Sequence, residues 1–445
     1  MADGLVPRRN PLTPFTPDAV DALGGPERLR QRRLDALERF TSLPLPTAAL
    51  EEWRYGRVDQ LDLDRYRPWR PDDASRRSPL PGWLEGLLVA LSPAALVVVH
   101  DGGDPDVRRV DAGVDVVDAD EADGLPAVLR PDAFTVLNEA MSTPVTLRIR
   151  AGSRPSGPVV VVHWCDADGT ATFPRTHIEV GDGAEAAIVE VAVSGDVAAL
   201  TVPVTEIEVG DGAVTRYLHL QCLGRRVWQI GTQASRVGRD ADFTSNVIAL
   251  GGDYARLRTD SAMSGPGSTT RLLAAYFASG VGTVDFRTTQ DHRAPRTTSE
   301  LLFKGAVANQ ARAVYTGLIR VEKGARGTNA FQTNRNLVLH EGAHADSVPN
   351  LEIEDNDVRC SHASAVGPIA DDQRFYLESR GVPPRAAARL ITLGFLDEVL
   401  ARMPFGPVVA HVRLDLLGLL ESAEATEAAA GATIGSPTGP EGAGA

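Results

Sequence analysis

The heptapeptide Ile178-Glu-Val-Gly-Asp-Gly-Ala184 returns 29 residues later as Ile207-Glu-Val-Gly-Asp-Gly-Ala213. Each copy runs into a strand-like stretch, AIVEVAV and VTRYLHLQC, and a weaker echo stands at Arg236-Val-Gly-Arg-Asp-Ala241. A period of roughly 28–29 residues falls within the ~20–50 that mark stacked architectures. Glycine supplies the positive φ that a tight corner needs. A single coil of short strands cannot close its own core, so several must stack. From Val145 to about Val366 strands alternate with Gly/Asp turns, and no stretch reads as a long helix. The pattern predicts a β-solenoid. A β-sandwich of hairpins is the competing fold, but it does not require the same corner chemistry to recur.

The end of this region, Thr283 to Gly367, has short apolar and β-branched runs (Ala313–Ile319, Leu337–His340, Leu351–Ile353) between small-residue turns. It reads as the last coils, and it finishes in Cys360-Ser-His362. Helical segments flank the coils. On the N-terminal side a helix is expected from Pro26 to Phe40, stopped by Pro44 and Pro46. The stretch Glu51–Leu63 carries an aromatic pair, Trp53 and Tyr55, that can pin it to the body. Residues 68–82 read as a loop, Leu96–His100 as a buried strand and Asp132–Met141 as a short helix. On the C-terminal side, helices are expected at Asp371–Arg380, Arg385–Met403 and Val408–Leu420. The last is apolar on most sides and needs a partner, in this chain or another. The expected organisation is a helical and mixed region at 1–144, a β-solenoid core at 145–369, a helical domain at 370–421 and a disordered tail at 422–445.

Composition narrows the function. The net charge of −14 argues against a nucleic-acid partner, because no excess of Lys and Arg is present to neutralise phosphates. The opening MADGLVPRRNPLTP lacks the apolar segment of a signal peptide, and the apolar run Ala94–Val99 is far too short to span a bilayer. Three scattered cysteines make no disulfide framework. A soluble cytoplasmic protein is the expectation.

Few residues offer chemistry. His340-Glu-Gly-Ala-His344 matches the H-E-x-x-H zinc-protease spacing, but that chemistry needs a helix, and the central Gly342 and nearby Pro349 predict a turn. Cys360 and His362 are two apart, so an extended strand points both to one side, with Cα atoms about 6–7 Å apart. Both suit iron and other soft or borderline metals, and two donors do not complete a site. Cys165 with His163, and Cys222 with His219, read as ordinary strand residues. Ser264–Gly267 reads as a turn. No G-x-x-x-x-G-K-[ST] cradle for phosphate occurs, nor a Ser/His/Asp arrangement.

Several stretches together resemble one family: EEWRY (Glu51–Tyr55), FTVLNEA (Phe134–Ala140) leading into VTLRIRAG, SELLFKG (Ser299–Gly305), DSVPNLEIEDNDVRCSHASAV (Asp346–Val366) and FYLESRGV (Phe375–Val382). They are similar to the SufB/SufD family of the SUF iron–sulfur cluster assembly machinery. Residues 346–382 are the most specific part, and the C-S-H triplet resembles the SufD type more than the SufB type. The resemblance implies a right-handed parallel β-helix flanked by N- and C-terminal helical regions. It implies a non-catalytic scaffold subunit, paired with SufB through the β-helix, with the ATPase SufC docked on the helices at 371–420. The nascent iron–sulfur cluster is expected at the junction with SufB, with His362 as ligand and Cys360 at a family cysteine. The resemblance leaves open a reduced flavin in the complex and a homodimer when the chain is isolated. The chain departs from the family pattern at His344, where acidic residues are frequent. The alternatives are a SufB-type paralogue and a β-helical carbohydrate-active enzyme; the latter wants clustered carboxylates that the repeats lack.

Overall fold

The computed structural model describes residues 14–70, 73, 78–117 and 130–434. Residues 1–13, part of the loop expected at 68–82 and the end of the expected tail lie outside the described residues.

Two long sheets face each other across a lumen and form a parallel β-solenoid of about 8 turns with flanking helices. The repeated heptapeptide is one corner of this coil stacked on the same corner of the next. Ile207 lies opposite Ile178 and Val209 opposite Val180, and Glu208 in turn lies opposite Arg236. The aspartates repeat because each one caps its successor. Asp182 Oδ1 accepts from the Asp211 N–H at 2.8 Å, and Asp211 Oδ1 from the Arg239 N–H at 2.7 Å. Gly183 and Gly212 hold φ of +63° and +66° at the turn itself, where a side chain would be strained.

The solenoid starts earlier than the change of pattern at residue 145 suggests. Ala95–His100 already pairs in parallel with Val159–Cys165, so the expected domain boundary falls inside the first coil. This end is closed by antiparallel strands. Asp106–Val110 covers Ala95–His100, and Val114–Val117 covers Pro144–Ile149.

Helices α1 (Pro17–Ala22), α2 (Glu27–Ser42) and, later in the chain, Ala133–Met141 bury Val20, Leu37, Phe40, Phe134 and Leu137 against Phe173, Leu200 and Trp228. The segment around Trp53 packs there too. Arg256 stacks 3.9 Å over the Trp53 ring and donates to the Glu52 carbonyl, while Arg287 donates to the Arg54 carbonyl at 2.6 Å. Tyr55 stays exposed with φ +66°. Of the aromatic pair, Trp53 is thus the pin.

Helix α3 (Gly82–Leu91) is absent from the sequence reading, because GWLEGLLVAL lacks the polar face that would mark it. It buries Leu84, Leu87, Leu88 and Leu91 on a face shared with the C-terminal helices. Following α4 (Ala133–Met141), those are α5 (Asp371–Glu378), α6 (Pro384–Leu400) and α7 (Gly406–Ile434). Leu396, Val399 and Leu400 of α6 and Val408, Val412, Leu416 and Leu420 of α7 pack on Leu218, Leu220, Ile248, Leu273 and Leu302 of the solenoid. The over-apolar helix therefore finds most of its partner within this chain, leaving Leu414 exposed. It also runs past the boundary expected at 421: residues 422–434 are helical rather than a tail, rich in the Ala and Glu that favour helix. Asn309 Nδ2 donates to the Ala423 carbonyl at 2.9 Å and ties this extension down.

Candidate functional site

The far end of the solenoid is open. His344–Ile353 ends one sheet and Val358–Gly367 ends the other. Each pairs in parallel with one neighbour, Arg312–Val321 and Thr328–Val338 respectively. The outer row of N–H and C=O groups on each is a template for another strand.

Register fixes which side chains face the lumen. Cys360 lies opposite Ala330, His362 opposite Gln332 and Ser364 opposite Asn334. Ala330 is buried inside the coil with Ile319 and Val321, and Cys360 packs against the same group. Cys360 and His362 thus share the lumen-facing side of the last strand. His362 is exposed and Cys360 half-buried. Leu351, Ile353 and Val366 stand in lumen register beside them and are 37%, 43% and 45% exposed, an apolar rim with no cover. Burial pushes the Cys360 thiol above its ordinary range, and the Ala330 N–H partly offsets this. The thiol is therefore protonated at neutral pH, and it could bind a metal only on giving up that proton.

Among the described residues no group of three or more His, Cys, Asp or Glu side chains could hold a metal ion. The mouth thus presents a sulfur and a nitrogen donor on one surface, a fragment of a coordination shell that suits iron.

The other sequence candidates do not converge. His340 Nδ1 accepts from the Asn309 N–H at 2.8 Å, while His344 lies 3.2 Å from Asp346 on the outer face, either side of a turn. The protease spacing is fortuitous. Ser264–Gly267 is a turn, as expected. Cys165 is buried, and burial raises its thiol; burial pushes that of Cys222 up to about 12, so both are inert.

His163 and His219 are not ordinary strand residues. They line a lumen cluster around Glu190, which the sequence reading missed. Glu190 Oε1 sits 2.9 Å from His163 Nε2 and 2.6 Å from Thr176 Oγ1, and Oε2 accepts from Thr205 and Tyr217 at 2.7 and 2.5 Å. Burial alone would raise this carboxyl, but the bonds from His163 and Thr176 outweigh it and hold it at about 2. A lone Glu in the apolar run AIVEVAV carries no sequence signal for such a network.

The family model for the SUF system FeS cluster assembly SufBD core domain matches residues 163–395, just over half of the chain. The chain is 29% identical to the iron–sulfur cluster assembly protein SufD of Escherichia coli over 372 residues, 82% of this chain and 86% of that one. It is 39% identical over 201 residues to an iron–sulfur cluster assembly SufBD family protein of Mycobacterium tuberculosis, 43% of this chain and 51% of the relative. SufD of Bacillus subtilis is 34% identical over 142 residues, 32% of each chain. The match thus spans about half the length of the mycobacterial relative and most of the E. coli one. With the solenoid, its flanking helices and the family model in agreement, this chain belongs to the SufB/SufD family and is of the SufD type.

Proposed function

We propose that this chain is a non-catalytic scaffold subunit of SUF iron–sulfur cluster assembly, and that its open coil is half of the assembly site. The observation that carries this reading is the pairing of two features on one end of the molecule: unpaired strand edges, and two metal-donor side chains facing the lumen beside them. A SufB-type solenoid docked edge to edge covers the apolar rim and brings the missing ligands. His362 is the principal ligand, because its imidazole is exposed at the mouth. Cys360 is secondary, because its thiol is half-buried and protonated. Iron and sulfide are the cargo; the residues of this chain hold and orient them and exclude water once the mouth is covered.

A SufC-type ATPase docks on the C-terminal helices. Helix α5 buries none of its side chains, Phe375 and Tyr376 are 72% and 56% exposed, and Leu390 of α6 is exposed too. Movement of these helices on ATP binding reaches the mouth through the strand Thr298–Val307 beneath α6.

His362→Ala is expected to fold, to retain both partners and to lower cluster yield in anaerobic reconstitution with ferrous iron and sulfide; Cys360→Ser is expected to be milder. Full cluster yield in His362→Ala removes this residue from the site. A purified chain that self-associates through the same rim, and exchanges that contact for the SufB-type partner, agrees with the reading.

A further inference from the structure

Directly beneath the mouth the lumen carries polar groups that the fold itself leaves unmet. Gln332 lies opposite His362 in the ladder, one strand spacing of about 4.8 Å away, and is 1% exposed. Neither Nε2 nor Oε1 of its amide has a hydrogen-bond partner, and neither has the buried Oγ of Ser347. Other lumen side chains nearby have at least one partner. His292 bonds Thr297 and Ser299 at 2.7 and 2.8 Å, and Asn334 donates to Tyr276 at 3.1 Å.

The room for this amide is built. A Cβ at Gly317 would lie 2.4 Å from Gln332 Nε2 and 2.3 Å from Tyr315 Oη, so glycine at 317 lets the amide reach across the lumen. Ser347 lies opposite Tyr315, and Pro349 opposite Gly317, on the last strand of the facing sheet. The unmet amide therefore sits between the penultimate strands of the two sheets, Thr328–Val338 and Arg312–Val321, one layer below the mouth. Burying an amide without partners is costly, and such groups call for a guest or a role.

We propose that Gln332 and Ser347 form a hydrogen-bonding cradle for the sulfur side of a cluster held at His362. The inference rests on the assembly-site reading above and goes beyond it by naming positioning residues. Sulfide and thiolate sulfurs carry negative charge and accept hydrogen bonds, and such bonds together with burial tune iron–sulfur centres. The Gln332 amide N–H groups and the Ser347 hydroxyl supply donors without adding charge to a dry lumen. Gln332 Oε1 stays free to accept from the imidazole N–H and so to set its orientation.

The test uses the complex purified with SufB-type and SufC-type partners, reconstituted with ferrous iron and sulfide. Variants Gln332→Leu, Ser347→Ala and His362→Ala are compared for the rate of cluster loss to a chelator and for the thermal midpoint of the isolated, metal-free chain. Gln332→Leu is expected to keep or raise the midpoint, since it removes an unmet buried amide, and to lose cluster about tenfold faster. Ser347→Ala is expected to shift cluster loss in the same direction. Wild-type retention in Gln332→Leu while His362→Ala loses its cluster overturns the cradle and leaves the ligand assignment standing. Undiminished retention in His362→Ala overturns the site reading itself. A lowered midpoint in Gln332→Leu assigns the amide to the fold and also overturns the cradle.

Discussion

Lys304, 1% exposed on the outer face of the solenoid, forms an ion pair with Glu398 of α6 and lies 4.3 Å from the centroid of the Phe395 ring. One ammonium thereby joins the strand Thr298–Val307, two strands in from the open edge, to the helices that we assign to the ATPase. Its neighbour Lys304 in turn holds the Glu398 carboxyl below the usual range. Glu398→Gln leaves the ammonium an acceptor but takes away its counter-charge. We expect a loss of about 1–3 kcal/mol and faster amide exchange in α6. Lys304→Met should restore most of the loss, since it removes the charge and keeps the packing. Unchanged exchange in Glu398→Gln would show that the pair does not hold the helix.

Asp285 is the hub of the latch over Trp53. It accepts from Arg256 Nη1 at 2.9 Å, Arg287 Nε at 2.6 Å and Tyr254 Oη at 2.8 Å, and it is fully buried. Asp285→Ala leaves two guanidinium groups without their carboxylate, at a cost of about 3–5 kcal/mol. The segment around Glu51–Gly56 should become sensitive to protease before the solenoid melts. Equal protection of that segment in variant and wild type would argue against the latch.

Acid should weaken the fold through buried histidine. Burial lowers His292 to about 4, and it sits neutral between Thr297 and Ser299. The unfolded chain takes up that proton near pH 6.5. Stability is therefore flat above pH 6.5 and declines as pH falls from there to about 4, by about 3 kcal/mol from this residue. His219 is lowered by burial in the same sense. Glu190 acts lower: its contribution is full above the ordinary carboxylate value and is lost as pH falls toward 2. Denaturant titrations of His292→Asn should show a shallower slope between pH 6.5 and 4; an identical slope would sink the assignment.

Gly305 makes room for an aromatic stack. A Cβ there would lie 1.8 Å from the Tyr276 ring, which is packed against Phe286 and donates to Asn336 at 2.6 Å. Gly305→Ala should cost about 1–3 kcal/mol or more by overpacking. Gly367→Ala meets nothing within 4 Å and should stay within about 0.5 kcal/mol of wild type. Equal melting of the two variants would contradict the packing.

A lysine on an open edge strand discourages pairing. Ile353→Lys and Val366→Lys should leave the thermal midpoint of the free chain nearly unchanged, because both side chains are exposed. Association with a SufB-type partner should fall, read by light scattering on the mixed chains. Undisturbed association would move the interface away from the mouth.

The period of the solenoid was legible because stacked corners reuse the same residues. Asp182 and Asp211 each cap the corner one coil further on, and Gly183 and Gly212 turn it, so the motif recurs at the spacing of the coil. The common side of Cys360 and His362 was equally legible, since alternation along a strand needs only the strand. The tail from 422 misled because Ala and Glu suit helix and disorder alike, and tertiary contacts such as the Ala423 carbonyl bonded to Asn309 and Glu424 paired with Arg389 tell them apart.

What the amino-acid order determined by itself was the repeating corner, the alternating strand and the helical flanks, all written as residue patterns that recur or alternate along the chain. What only the tertiary structure decided was which end of the coil is closed, that Glu190 is held by two neighbouring coils, and that Gln332 lies unmet beneath His362. Those facts depend on residues brought together by stacking, and no local propensity encodes which coil has no successor.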